Sequence, residues 1–321
     1  MPPFCPVFLH VELIWNILCV SLSAENKTEF YVQQTGLPIA DPYILCYGGC
    51  YYAYGTNERG FAVYVSRDFM HWRRNPVLAL SPENSWGNQG YWAPEVYYIQ
   101  SLKKFYMFYT VNEQVCVATS DSPEGPFVQD MKKPLWGVEK NIDPSLFIDS
   151  DGKAYLYFVR FTGGNVIWCA ELNADLKSLK EETLTKCVEA EEEWERRRAI
   201  VAEGPSLLKR GSTYYLLYSA NHFESQDYAV GYAVSDSPYG PWQKYSGNPI
   251  LRRGMRGTGK LVGIGHGAPF QCIDGKYRYV FHAHANKKNV QPRSSYIKEL
   301  VWSDNGILAI CGDLISPVVE K

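Results

Sequence analysis

Val201-Ala202-Glu203-Gly204-Pro205-Ser206-Leu207-Leu208 carries one carboxyl group between small apolar residues and a Gly-Pro turn. An aromatic strand-like run, Thr213-Tyr214-Tyr215-Leu216-Leu217-Tyr218, follows it. A carboxyl group at the mouth of a buried strand is costly unless it is used or paired. The construction recurs. Ala40-Asp41-Pro42-Tyr43-Ile44-Leu45 precedes Tyr51-Tyr52-Ala53-Tyr54, and Ile142-Asp143-Pro144-Ser145-Leu146-Phe147 precedes Ala154-Tyr155-Leu156-Tyr157-Phe158. Two further copies lack the leading acid: Trp92-Ala93-Pro94-Glu95 before Phe105-Tyr106-Met107-Phe108-Tyr109, and Gly265-His266-Gly267-Ala268-Pro269 before Tyr277-Arg278-Tyr279-Val280-Phe281.

The prolines of these copies stand roughly fifty to sixty-odd residues apart, the period of four-stranded propeller blades. Proline suits a strand entrance, where no ladder hydrogen bond is needed. The second half of the unit repeats too. Val117-Ala118-Thr119-Ser120-Asp121-Ser122-Pro123-Glu124-Gly125-Pro126-Phe127 matches Tyr232-Ala233-Val234-Ser235-Asp236-Ser237-Pro238-Tyr239-Gly240-Pro241-Trp242, and Val63 to Trp72 is a looser version. These segments read as a third strand, a Ser-Asp turn and a fourth strand opening on an aromatic residue. Five units predict an all-β chain closed as a five-bladed β-propeller over residues 34–321. The innermost strand of each blade starts at the axis, so Asp41, Trp92, Asp143, Glu203 and His266 are expected to share one slot and converge on one funnel.

Composition narrows the function. The formal net charge is −2 and no basic block stands out in the chain, which argues against a nucleic-acid partner. Aromatic residues make up 15%, suited both to strand packing and to flat polar ligands such as sugars. The nine cysteines are scattered without metal spacing or a disulfide framework, and Cys116, Cys169 and Cys272 read as small buried hydrophobes. Residues 1–24 hold an apolar run ending in Ser21-Leu22-Ser23-Ala24, read as a signal peptide or N-terminal extension. No basic residue precedes the run, and it is short for a membrane span. The chain is expected to be secreted or periplasmic if that segment is a leader, and cytoplasmic otherwise. Glu189 to Arg198, dense in Glu and Arg, reads as a solvated insertion between blades three and four.

The motifs Ala40-Asp41-Pro42, Trp92-Ala93-Pro94-Glu95, Ile142-Asp143-Pro144, Ala202-Glu203-Gly204-Pro205 and Gly265-His266-Gly267 resemble those of glycoside hydrolase family 43, in order and at blade spacing. That resemblance implies an inverting hydrolase releasing terminal α-L-arabinofuranosyl or β-D-xylosyl residues from plant cell-wall polysaccharides, with arabinofuranosidase preferred. It implies Asp41 as general base, Glu203 as general acid and Asp143 as the carboxylate that orients and tunes that acid. It further implies Trp92, His266 and Arg293 at the sugar, with a water-held calcium beside His266. The chemistry suits these roles, because inversion needs one protonated and one ionised carboxyl group, roughly 6.5–9.5 Å apart, with a water between. Burial and the charge of Asp143 are expected to keep Glu203 protonated.

Other readings stand beside these. An endo-acting arabinanase differs only in loop shape, and a non-catalytic carbohydrate-binding propeller would leave three buried acids without use. Glu95 follows its proline rather than preceding it and reads as a surface or inter-blade pair. His266 reads alternatively as a structural histidine. His282 and His284 share a face, with packing or hydrogen bonding favoured over metal binding. Asp149-Ser150-Asp151-Gly152 reads as a hairpin turn rather than a calcium loop.

Overall fold

The computed structural model describes residues 36–320; the leader-like segment of residues 1–24 lies outside them. Five antiparallel sheets stand around one axis, and helix is confined to three-residue 3-10 turns among the described residues. Their inner strands are Ala40–Tyr47, Trp92–Ile99, Asn141–Ile148, Ala202–Arg210 and Gly265–Gln271, for blades 1 to 5. Each pairs with the aromatic run that follows it in sequence, as in Ala202–Arg210 with Thr213–Ala220.

The aromatic runs are almost continuously apolar because both of their faces are buried. In Thr213–Ala220 of blade 4, Tyr214, Leu216 and Tyr218 pack toward blade 3, while Tyr215 and Leu217 pack toward blade 5. Every pair of neighbouring blades encloses such a cluster, so five small cores between blades take the place of one central core. Fully burying one such side chain contributes about 1.5–3 kcal/mol. The ring closes between blades 5 and 1 through short clasps from both ends of the described chain. Leu37 and Ser295 exchange backbone hydrogen bonds of 3.0 and 2.7 Å, and Val318–Val319 lies parallel to His71–Arg74 of blade 1.

The fourth strands are shorter than the repeat suggests. In blade 2 the fourth strand is reduced to one bridge, Val128 to Thr119, and in blade 4 to Gln243–Lys244. Pro126 and Pro241 stand where those strands would begin and carry no N–H for the ladder, so pairing starts only beyond them. Cys116, Cys169 and Cys272 are buried. Asp149 to Gly152 forms a hairpin turn closed by Gly152 N–H to the Asp149 carbonyl at 2.9 Å. The segment of residues 189–198 departs from a solvated insertion. Glu195 within it is fully buried and accepts hydrogen bonds from the Tyr218 hydroxyl at 2.5 Å and from Lys244 at 2.6 Å, fastening the segment to blade 4.

Candidate active site

Each inner strand breaks its register with a β-bulge at the axis. One residue per blade there takes a left-handed backbone: Asp41 (φ 49°), Ala93 (φ 44°), Asp143 (φ 57°), Gly204 (φ 56°) and His266 (φ 38°). Such a conformation is uncommon for residues other than glycine and marks over-determined, functional backbone. It also corrects the sequence reading of a single slot. Glu203 and Trp92 stand one residue earlier than Asp41, Asp143 and His266, opposite Ser219 and Thr110 of their own second strands.

The strained amides are caught by a ring of side chains that the sequence reading missed. The N–H of each left-handed residue points at the second strand of the preceding blade. Ala93 N–H reaches Thr56 Oγ1 at 3.0 Å, Asp143 N–H reaches Thr110 Oγ1 at 3.0 Å, and His266 N–H reaches Ser219 Oγ at 2.7 Å. Asp41 N–H reaches His282 Nδ1 at 3.2 Å, joining blade 5 to blade 1. Thr56, Thr110, Ser219 and His282 occupy equivalent register positions, and in blade 3 that position holds Val159. Valine has no acceptor, so the N–H of Gly204 is taken by the Asp143 carboxylate at 3.2 Å. That bond fixes how the Asp143 side chain is turned.

The structure brings Asp41, Asp143 and His266 together on one imidazole. His266 Nδ1 lies 3.4 Å from Asp41 Oδ1 and 3.9 Å from Asp143 Oδ2. Burial works against the charged imidazole, but Asp41, Asp143 and Glu203 together raise its pKa above the ordinary histidine value. Asp41 accepts from Arg293 Nη1 at 2.8 Å and from the Thr56 hydroxyl at 2.5 Å. Burial alone would raise its pKa; Arg293, His266 and His282 outweigh it and hold this carboxyl well below the usual range. Asp41 is therefore ionised at any physiological pH. Asp143 goes the other way. Burial, with the charges of Glu203 and Asp41, lifts it to about 7 against the pull of His266 and the Gly204 N–H. The sequence reading placed the raised proton on Glu203. In the structure the raised proton falls on Asp143.

Glu203 is held at both oxygens, by the Tyr228 hydroxyl at 2.8 Å and by the Asn165 amide at 2.8 Å. Tyr228 is itself fully buried and stacks on His282, with ring centroids 5.7 Å apart. Arg293, matched only loosely from sequence, is drawn in closely: its guanidinium lies 5.0 Å from the Phe223 ring centroid, and its Nε is buried with no hydrogen-bond partner among the described residues. Trp92 is half-buried, packed beside the core cluster that contains Ile142.

Glu95 is buried rather than at the surface, and it hydrogen-bonds Ser145 of blade 3, the inter-blade pair of its two expected places. The bulge turns the residue after the proline back toward the axis, so Glu95 and Tyr43 line the axial cavity together with Asp41, Asp143 and His266. Burial raises the Glu95 carboxyl to about 8, and Tyr97 donates its hydroxyl to it. A calcium ion takes about 6–8 oxygen ligands. The axial cavity beside His266 measures about 10 Å³, room for about one water. His266 Nδ1 is turned to two carboxylates, and no cluster of three or more His, Cys, Asp or Glu suited to a metal occurs among the described residues. These residues do not fit a calcium caged by water. His282 and His284 do not form a metal pair either: His284 Nε2 bonds the Phe223 carbonyl at 2.7 Å, and burial with Arg293 pushes His282 down to about 3, a neutral ring.

Residues 37–308 match the family model described as Glycosyl hydrolases family 43. A solved structure described as an endo-1,4-β-xylanase from Bacteroides thetaiotaomicron superposes with a TM-score of 0.87 at 56% identity, over 90% of this chain and 100% of that one. A β-D-galactofuranosidase from Aspergillus niger is 27% identical over 76% of this chain and 73% of its own length. An extracellular endo-α-(1→5)-L-arabinanase from Bacillus subtilis is 26% identical over 82% of this chain and 85% of its own.

Proposed function

This chain belongs to glycosyl hydrolases family 43, and from that premise we propose that it removes terminal α-L-arabinofuranosyl or β-D-xylosyl residues from plant cell-wall polysaccharides with inversion at the anomeric carbon. The carrying observation is the contrast between Asp41, held ionised by Arg293 and His266, and Asp143 on the same imidazole, which keeps a proton to about pH 7. One carboxylate is thus ready to take a proton and a second group is ready to give one, the pairing that inversion requires.

In this reading Asp41 accepts a proton from water as the water oxygen bonds to the anomeric carbon. The glycosidic C–O bond breaks on the opposite face, and Glu203 delivers its proton to the departing oxygen. Asp143, turned by the Gly204 N–H, is the acid that orients and tunes Glu203. Tyr228 and Asn165 fix the direction of the Glu203 carboxyl, and Arg293 holds Asp41 at 2.8 Å beside the sugar. Trp92 offers an aromatic face to the sugar ring. Asp41, Asp143, Glu203 and Arg293 are each no more than 9% exposed, which supports a deep site for one terminal ring. The name carried by the Bacteroides protein favours a second reading, endo cleavage within a xylan chain.

Proton NMR of the first-formed sugar from nitrophenyl α-L-arabinofuranoside and β-D-xyloside tests the proposal. The product is expected with the anomeric configuration opposite to the substrate, and natural oligosaccharides should yield single sugars. A retained anomer sinks the role of Asp41 as base; release of short oligosaccharides alone selects the endo reading. Chelation gives a separate test. Dialysis against EDTA is expected to leave melting temperature and aryl-glycoside turnover unchanged, since the axial cavity has no room for a hydrated ion. Calcium-dependent recovery of either would restore the ion beside His266.

A further inference from the structure

Outside the funnel a hollow of about 730 Å³ lies on blades 4 and 5. Its cationic lining comes from three stretches far apart in sequence: Arg197 from the connection before blade 4, Arg252, Arg253 and Lys260 from the connection between blades 4 and 5, and Lys287 from within blade 5. Inner strands run away from the funnel and second strands return to it. The connections after second strands and after outermost strands therefore lie on the same face as the funnel. The hollow opens on the active-site face for that reason.

Five cations line it against one acid, Asp227. Arg253 takes that acid at 2.6 Å, with Arg197 at 4.0 Å. Among the described residues no ion pair engages Arg252, Lys260 or Lys287. Their charges add up across a concave surface, where a low-dielectric wall strengthens attraction for an anion. The lining also includes Trp194, half-buried and tilted against Tyr218 at 5.9 Å between centroids. Its segment is not a loose one, being held by the buried Glu195. An indole face beside guanidinium forks suits a ring that is flat, hydroxylated and carboxylated: the indole packs its C–H face and arginine takes the carboxylate in bidentate fashion.

Hollow and funnel share a wall. Asp227 in the hollow precedes Tyr228, whose hydroxyl holds Glu203, and Phe223 in the same connection lies under Arg293. A branched glycan with its terminal sugar in the funnel can reach the hollow with a neighbouring substituent. We infer that the hollow is an accessory subsite for an anionic sugar, a uronic acid carried as a branch of the polysaccharide substrate. The inference rests on the glycosidase reading for its polymer, but its binding test is independent of turnover.

The test uses a xylo-oligosaccharide bearing one glucuronosyl branch and its carboxyl-reduced neutral counterpart. Calorimetry with the full chain is expected to give about tenfold tighter binding of the charged form at low salt. The difference should shrink as ionic strength rises and the Debye length falls from about 30 Å to about 8 Å. In the triple variant Arg252→Glu, Lys260→Glu, Lys287→Glu the preference should vanish. All three residues are exposed, so turnover of a neutral aryl glycoside should be unchanged and reports on folding. Equal wild-type binding of the two sugars, or a preference that survives in the triple variant, overturns the subsite. A single-stranded oligonucleotide binding with the same salt dependence and the same loss in the variant would assign the hollow to nucleic acid and overturn the sugar. Loss of aryl turnover in the wild type would sink the hydrolase reading alone, because the binding comparison is made without turnover.

Discussion

Glu203→Gln is expected to lose about 10²–10⁴-fold of activity on natural oligosaccharides while sparing part of the rate on an activated aryl glycoside, the usual worth of proton donation. A good leaving group departs without help, so the deficit should narrow as the leaving alcohol becomes more acidic. Glutamine can accept the Asn165 amide at its oxygen and donate its own amide to the Tyr228 oxygen, so both neighbours stay partnered. Asp41→Asn removes activation of the attacking water, which every substrate needs, and should be severe on both substrates, with added azide restoring part of the aryl rate. The pH profile divides the roles further. Asp41 is held well below the ordinary carboxylate range, so the acid limb should lie well below pH 4. The raised step about Asp143 puts the alkaline limb near 7. Asp143→Asn removes that titrating carboxyl and should displace the alkaline limb. Equal losses on both substrates for Glu203→Gln and Asp41→Asn, or a wild-type profile for Asp143→Asn, would refute this division of labour.

Glu95→Gln should instead change stability, and do so only where the wild-type carboxyl is forced to stay protonated. The folded chain holds the Glu95 proton to about pH 8, whereas the ordinary value is 4.5. Between those values the unfolded chain has released a proton that the folded chain still binds. Stability contributed by this group is fully present below pH 4.5 and falls as pH rises toward 8. At about 1.4 kcal/mol per pH unit the loss across that window is of the order of 5 kcal/mol. An amide does not titrate, and it can accept the Tyr97 hydroxyl in the same way. Urea unfolding at pH 5 and pH 8 should show the variant losing less stability than the parent between the two. Asp143 has the same sign in both proteins and drops out of the comparison. Parallel pH dependences would show that Glu95 is not buried as a neutral acid.

The acids and prolines at the blade entrances were legible because they sit within short contiguous motifs, and the blade period follows from their spacing. The exchange of neighbours across blades was not. Thr56, Thr110 and Ser219 are ordinary strand residues by propensity, and each serves an amide at least 33 residues away. The one-residue offset of Glu203 is readable from the prolines, since Glu203 stands two residues before Pro205 and Asp41 and Asp143 one before theirs. The burial of Glu95 is not, because the bulge that turns it inward leaves no mark in the sequence. Arg252, Arg253 and Lys260 lie within one short stretch, but the basic hollow escaped because Arg197 and Lys287 complete it from elsewhere in the chain, and Glu191, Glu192 and Glu193 crowd the stretch that carries Arg197.

The ring of captured amides bears on how equal copies become unequal. Four blades pass a polar side chain to the next, and a fifth that did likewise would close a ring with rotational equivalence at every strained amide. Asp143 would then be free to turn, as an acid with no fixed bearing. Val159 breaks the equivalence by the lack of one oxygen atom, and the vacant amide of Gly204 recruits Asp143 instead. The position of the modulating acid is thus written partly in a residue that touches no reacting atom and bears no polar group. A duplicated blade needs only to lose a hydroxyl, and not to gain a catalytic side chain, for its neighbour to acquire an orientation of its own.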